Sequence, residues 1–451
     1  MSKLEILYSN KSIFTLIISI LIIIIMDGSL TIFCTPKSNR IINISNTELY
    51  LIYSIVFITS NIILLKIVTS ITSILKKYDK YYYIIILSVQ SLLSITLLTI
   101  YGQMILYSNY SNFFIFLIVI SSFLSSIAFL IILTIRLLHW FSLTHNHLTL
   151  MYGIAFLVFI LNTIFGLIYL TQILSTHGDI IKPASCRAIF ASLFNLNPNL
   201  SIFLSNLYDI TSIISFISIW VATTIMLKQY SRRIGKIKYW ILVSIPLFVF
   251  LIKYEVMFYY FINDPAILDI FYVELSPNLN PIIDMILRSN LQFGGVFFAI
   301  AFLVIAKKIP KRHKIVNSLI ISLLGMMFLV GSKDISALIF PSYPPLGIVA
   351  ISFMSLASYL LLVGIYSSAT ITARDTNLRT YLSKMVGNDT ALLTNIAFSE
   401  KESEIEKSVK SLMDYTKQWQ EDYSPLEINQ HEIKDIIDDV MSEVKKTIKK
   451  K

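Results

Sequence analysis

Five charged residues stand in or at the edge of the later apolar stretches, toward their expected outer ends: Asp209, Lys253, Glu255, Asp284 and Arg288. An isolated buried charge costs several kcal/mol, so such residues either pair with one another or mark a functional site. Lys253 and Glu255 are two positions apart. On a helix they face different sides, so each must meet a separate neighbour. One chemistry open to this set is recognition of a small ligand or ion in an outward-facing polar pocket. The other is a set of interhelical ion pairs that reach toward the membrane interface and only fix packing. Asn162 and Gln103 also lie within apolar stretches, where an uncharged amide is expected to act as interhelical hydrogen-bond glue.

The remaining chemistry-bearing residues point away from catalysis. His139, His145 and His147 fall in one expected loop, but no cysteine or paired carboxylate stands nearby to complete a closed metal geometry. No metal site and no cofactor are expected. The chain carries no HExxH, no phosphate-cradling glycine loop and no GxSxG, and the missing nucleotide motif argues against a pump. His431-Glu432-Ile433-Lys434 is similar to the phosphoacceptor box of histidine kinases, but Asp435 and Ile436 follow where that box has a proline. The chain is therefore expected not to be an enzyme. Its two cysteines, Cys34 and Cys186, both fall on the expected outer face. There they either form a disulfide or remain two separate buried thiols.

The elements that must position these residues are membrane spans. Only 14% of residues are charged and 55% are hydrophobic, with a mean hydropathy of +0.72; an ordinary soluble domain carries roughly 25% charged residues. Apolar stretches run over 12–26, 49–75, 81–107, 113–137, 149–173, 205–228, 239–261, 286–306, 315–332 and 346–369, most of them near the ~20 residues a bilayer requires. Basic residues collect in alternate connections: Lys76, Lys77 and Lys80; Arg136; Lys228, Arg232, Arg233, Lys236 and Lys238; Lys307, Lys308, Lys311, Arg312 and Lys314. The intervening loops hold Asp264, Asp269 and Glu274. Basic loops resist translocation, which predicts a cell-membrane bundle of about ten spans with both termini cytoplasmic. The net charge of +10 therefore faces anionic lipid head groups rather than nucleic acid.

Other expectations follow from the same reading. Thirteen glycines in 451 residues predict few tight helix crossings, with hydroxyls satisfying each other across looser contacts. Pro246 alone interrupts an apolar stretch, whereas transporters use broken helices at their substrate sites. Pro344 and Pro345 are expected to open the last span. Trp140, Tyr239 and Trp240 on the inner side, and Tyr259, Tyr260 and Tyr272 on the outer side, are expected as interfacial anchors.

The bundle is assigned to 1–369 and a cytoplasmic helical tail to 370–451. Arg374 to Met385 is expected to continue the last span. Ser399 with Glu402 forms a capping box. Ile405, Val409, Leu412, Thr416 and Trp419, then Ile433, Ile437, Val440 and Val444, follow a heptad-like spacing. Two amphipathic helices need a partner surface, so 399–450 is expected to bind a cytoplasmic protein or another copy. The segment Phe340-Pro341-Ser342-Tyr343-Pro344-Pro345-Leu346-Gly347 and the run into Arg374 resemble multi-pass archaeal membrane proteins. That resemblance implies no activity and no catalytic residue. The whole plan also loosely resembles the membrane sensor halves of signalling proteins. The expected function is a non-enzymatic sensor or interaction protein. The alternatives are a secondary transporter of a small solute or ion and a structural accessory subunit.

Overall fold

A computed structural model describes residues 45–72, 78–176, 180–181, 198–228, 235–237, 239–248, 250, 297–300, 314–332, 345, 347–375 and 411. The chain divides into two compact units, Met1–Ser399 and Glu400–Lys451. The described elements belong to the first. They are α1 (Ser45–Thr72), α2 (Tyr78–Tyr107), β1 (Tyr110–Ser111), α3 (Asn112–Thr144), α4 (His147–Thr176), β2 (Ile180–Ile181), α5 (Pro198–Lys228), α6 (Tyr239–Phe248), α7 (Lys314–Gly331) and α8 (Ile348–Arg374). The structure is nearly all helical, and six of these helices, α1 to α5 and α8, are long and apolar enough to cross a membrane. The first span, both cysteines, Lys253, Glu255, Asp284, Arg288, the outer tyrosines and the amphipathic runs of the tail lie outside the described residues.

The connection between α3 and α4 shows how local sequence sets the elements. His145 takes a left-handed conformation (φ 52°) and its N–H donates to Phe141 O at 2.7 Å, closing α3. Asn146 then caps α4, its Oδ1 accepting from the N–H groups of Leu148 at 2.8 Å and Thr149 at 3.3 Å. Asparagine suits this place because its short side chain satisfies first-turn donors that have no partner inside the helix. The expected histidine loop therefore shrinks to two residues. His139 lies within α3 and His147 opens α4. Arg136 is also inside α3 rather than in a loop, its guanidinium 4.6 Å above the Tyr366 ring of α8.

Side-chain contacts fix the direction of each helix pair. Tyr50 of α1 donates to Leu97 O of α2 at 3.2 Å, and α4 meets α5 through Tyr152–Thr223 and Asn162–Thr211; both pairs are antiparallel. The α5–α6 pair is antiparallel too, with Trp220 Nε1 donating to Val243 O at 3.0 Å and Tyr239 Oη donating to Thr224 O at 3.3 Å. Between α3 and α8 the order is the same on both helices: Ser122 with Ile351, Ser125 with Ser355, Phe129 with Tyr359, Arg136 with Tyr366. These two helices run parallel. The two-residue strands β1 and β2 pair antiparallel and tie the α2–α3 connection to the segment after α4.

Helix α8 is the core of the bundle. From Ile348 to Ala373 nearly every residue is buried, and α8 packs against α7, α3, α1 and α2. Against α7 the approach is close. A Cβ on Gly325 would stand 2.8 Å from Leu361 Cα and 2.9 Å from Ala357 O, and one on Gly364 would stand 2.5 Å from Ser322 N. Scarce glycine did not prevent a tight crossing, because two glycines placed opposite backbone suffice. By contrast α2 turns Ile84, Ile85, Leu92, Ile95 and Leu98 outward, as a lipid-facing helix does.

Several other expectations are corrected. The last helix begins at Ile348, after Gly347 at φ 90°, so Pro344 and Pro345 precede it instead of occupying its first turn. It ends at Arg374: Asp375 is extended (φ −98°, ψ 100°), its N–H donating to Ile371 O at 3.1 Å. The helix does not run on unbroken toward Met385. Of the expected inner anchors, Trp140 and Tyr239 are buried within the bundle, whereas Trp240 is exposed. Many hydroxyls bond back into their own helix, as Ser352 does to Ile348 O and Thr372 to Ser368 O. The Ser125–Ser355 bond at 2.7 Å is a cross-helix pair of the expected kind.

A candidate polar site between α4 and α5

Asn162 is fully buried on α4. Its Nδ2 donates to Tyr208 O and to Thr211 Oγ1, both at 2.9 Å on α5. The expected role as interhelical glue holds. Thr211 passes its own proton back to Leu207 O or Tyr208 O, at 2.8 and 3.0 Å. The Oδ1 of Asn162 is buried without a partner. An unpaired amide oxygen in the interior is costly, and here it leaves an acceptor free in the seam where Asn162 meets Tyr208 and Thr211.

Asp209 follows Tyr208 directly, is half-buried, and takes part in an interaction within the chain. The sequence placed it just inside its span. The structure extends α5 back to Pro198, so Asp209 lies about 16 Å from the helix start at ~1.5 Å per residue. Its neighbour Tyr208 is tied to Asn162, which sits at the middle of α4 (His147–Thr176). The carboxylate thus stands close to the level of the middle of α4, three residues inside the apolar part of α5, Asn206–Lys228.

The face of α5 that bears Asp209 continues through Ser212 and Phe216, three and seven residues on. Ser212 is buried, and Phe216 stacks on Phe250 with ring centroids 3.7 Å apart and planes within 2°. Phe298 packs on Phe216 at 5.5 Å. Of the expected charged cluster, the described residues include Asp209 alone, and Lys253, Glu255, Asp284 and Arg288 fall outside them. Gln103 has a different role from the one expected. Its Oε1 accepts from Ser111 N at 3.0 Å and so braces the turn between α2 and α3. Among the described residues no group of three or more His, Cys, Asp or Glu could hold a metal ion.

Among the buried residues that escaped the sequence reading are Asn61 on α1 and Gln90 on α2. The signal was present, since each is an amide in an otherwise apolar span. The chain matches no protein-family model, no curated protein and no solved structure.

Proposed function

We propose that this is a polytopic cell-membrane protein acting as a non-enzymatic sensor or interaction protein. A small ligand or ion is perceived at the polar seam around Asp209, and the last span relays the change to the cytoplasmic helices of 399–450. The observation that carries this reading is the burial of α8 on all sides. A helix packed on α1, α2, α3 and α7 moves when any of them moves, and it is the element that leads into the charged tail. The break at Asp375 makes that relay a joint rather than a rigid rod. Bundle, ten spans and cytoplasmic termini form one scheme. The parallel course of α3 and α8 supports it, because the charge pattern gives the fourth and tenth spans the same direction. So does the β1–β2 pairing, because the same pattern puts the loops after the third and fifth spans on one face.

The charged cluster of Asp209 with Lys253, Glu255, Asp284 and Arg288 is part of this proposal. It rests on the antiparallel register of Trp220–Val243 and Phe216–Phe250 continuing along the chain. A second reading, a secondary carrier, draws support from Asp209 standing close to the level of the middle of α4, since transporters bind substrate and coupling ion near the midplane. Against it stand α1 to α5 and α8, each a continuous helix of 27 to 33 residues. Truncation after Met385 separates the two. A sensor loses its output while the bundle stays in the membrane, whereas a carrier still moves its solute.

A further inference from the structure

Asn61 is 4% exposed and Gln90 2%, and neither the amide nitrogen nor the amide oxygen of either residue has a hydrogen-bond partner. Ser60 Oγ, next to Asn61 in sequence, is buried and unpartnered as well. Other polar groups on these helices find an acceptor in their own backbone, as Ser54 does at Tyr50 O and Thr96 at Leu92 O. The two carboxamides do not, so two donors and two acceptors stand unpaired inside the bundle.

The register sets them within about one helical turn of each other along the bundle. The bond from Tyr50 to Leu97 O pins α1 against antiparallel α2. From that pair Asn61 lies about 16 Å along α1 and Gln90 about 10 Å along α2, a difference of about 6 Å at ~1.5 Å per residue. Helical side chains tilt toward their own N-terminus, so on antiparallel helices these two lean toward each other across the gap. Both occupy buried stripes: Phe57, Asn61 and Leu64 on α1; Ile86, Gln90, Leu93 and Leu97 on α2. Phe57 packs edge-on against Phe353 of α8 at 4.8 Å, so the level lies in the core these helices share.

We propose that Asn61 and Gln90 form an internal water-binding site in the transmembrane core, separate from the Asp209 seam. The chemistry of the orphaned groups selects the ligand. A cation would satisfy the two oxygens and leave the amide hydrogens unpaired, and an anion would do the reverse. Water donates and accepts, and satisfies both. Buried water is the usual partner of interior polar groups that find none in the protein. The charges within α1, Glu48 and Lys66, are exposed and supply no counter-charge for an ion at this level.

Radiolytic footprinting of the full-length protein in nanodiscs tests the site. Water held beside the amides generates hydroxyl radicals locally, so Phe57, which is fully buried, should be oxidised in the wild type. The double variant Asn61→Leu/Gln90→Leu should lose that oxidation several-fold, with labelling of exposed Tyr81 unchanged. Equal oxidation of Phe57 in both proteins overturns the proposal. The wild-type arm decides alone if the variant does not fold, because an unmodified Phe57 means a dry site. A parallel melting series in sodium, potassium and choline chloride should show no cation preference; stabilisation by one small cation, absent in Gln90→Met, would replace water with that ion and overturn the assignment.

Discussion

Asn162 and Asp209 show what a single polar residue does when lipid surrounds the bundle. Asn162 makes two bonds across to α5, and it holds the backbone next to an acid. Replacing Asn162 with leucine removes both bonds and leaves Thr211 with its own helix carbonyls. The expected loss is about 1–2 kcal/mol, in the range of interhelical bonds in membranes, read as a lower melting midpoint in detergent. Asp209→Asn tests the functional role. It should abolish ligand-dependent output with protein abundance unchanged; loss of abundance alone would assign Asp209 to packing. Residue type made both positions legible in the sequence. The place of Asp209 just inside its apolar stretch was legible too, and Asn206–Lys228 has it there; the start of the helix at Pro198 was not, because it lies in a polar segment that hydropathy does not extend into.

At the scale of elements, the positions of the described long helices were readable and their fates were not. α2 and α8 have similar apolar composition, yet α2 exposes a row of isoleucines and leucines while α8 is buried throughout. What distinguishes α8 is its small residues: Ala350, Ser352, Ser355, Ala357, Ser358, Gly364, Ser367, Ser368 and Ala369. They let neighbours approach from every side, a signal hidden from an average over hydropathy. Two changes test these elements. Gly325→Val would force side-chain atoms into the backbone of α8 at Leu361 and Ala357 and should cost at least 1–3 kcal/mol of stability, as overpacking does. Asn146→Ala removes the cap of α4 and should cost about 1 kcal/mol, whereas the exposed-face change Ile95→Leu should leave the melting midpoint unmoved.

For the whole molecule, the charge asymmetry of the loops carried the argument, because translocation acts on basic residues whatever the packing inside. It predicts direction without specifying neighbours: that α8 lies beside α3 and α7 depends on side-chain fit between segments far apart in sequence. The pairing of Cys34 with Cys186 belongs to this scale. A bridge between them would close a long loop on the outer face and contribute about 4 kcal/mol in the chain-entropy model. Non-reducing peptide mapping should find the two cysteine peptides joined; two freely alkylated thiols in native membranes would end that proposal. The central claim is the bundle of about ten spans with both termini cytoplasmic, and reporter fusions test it most directly. Fusions after Lys80 and Lys238 should read cytoplasmic, and those after Asp179 and Asp269 external; a reversed reading at two of these sites would contradict the account.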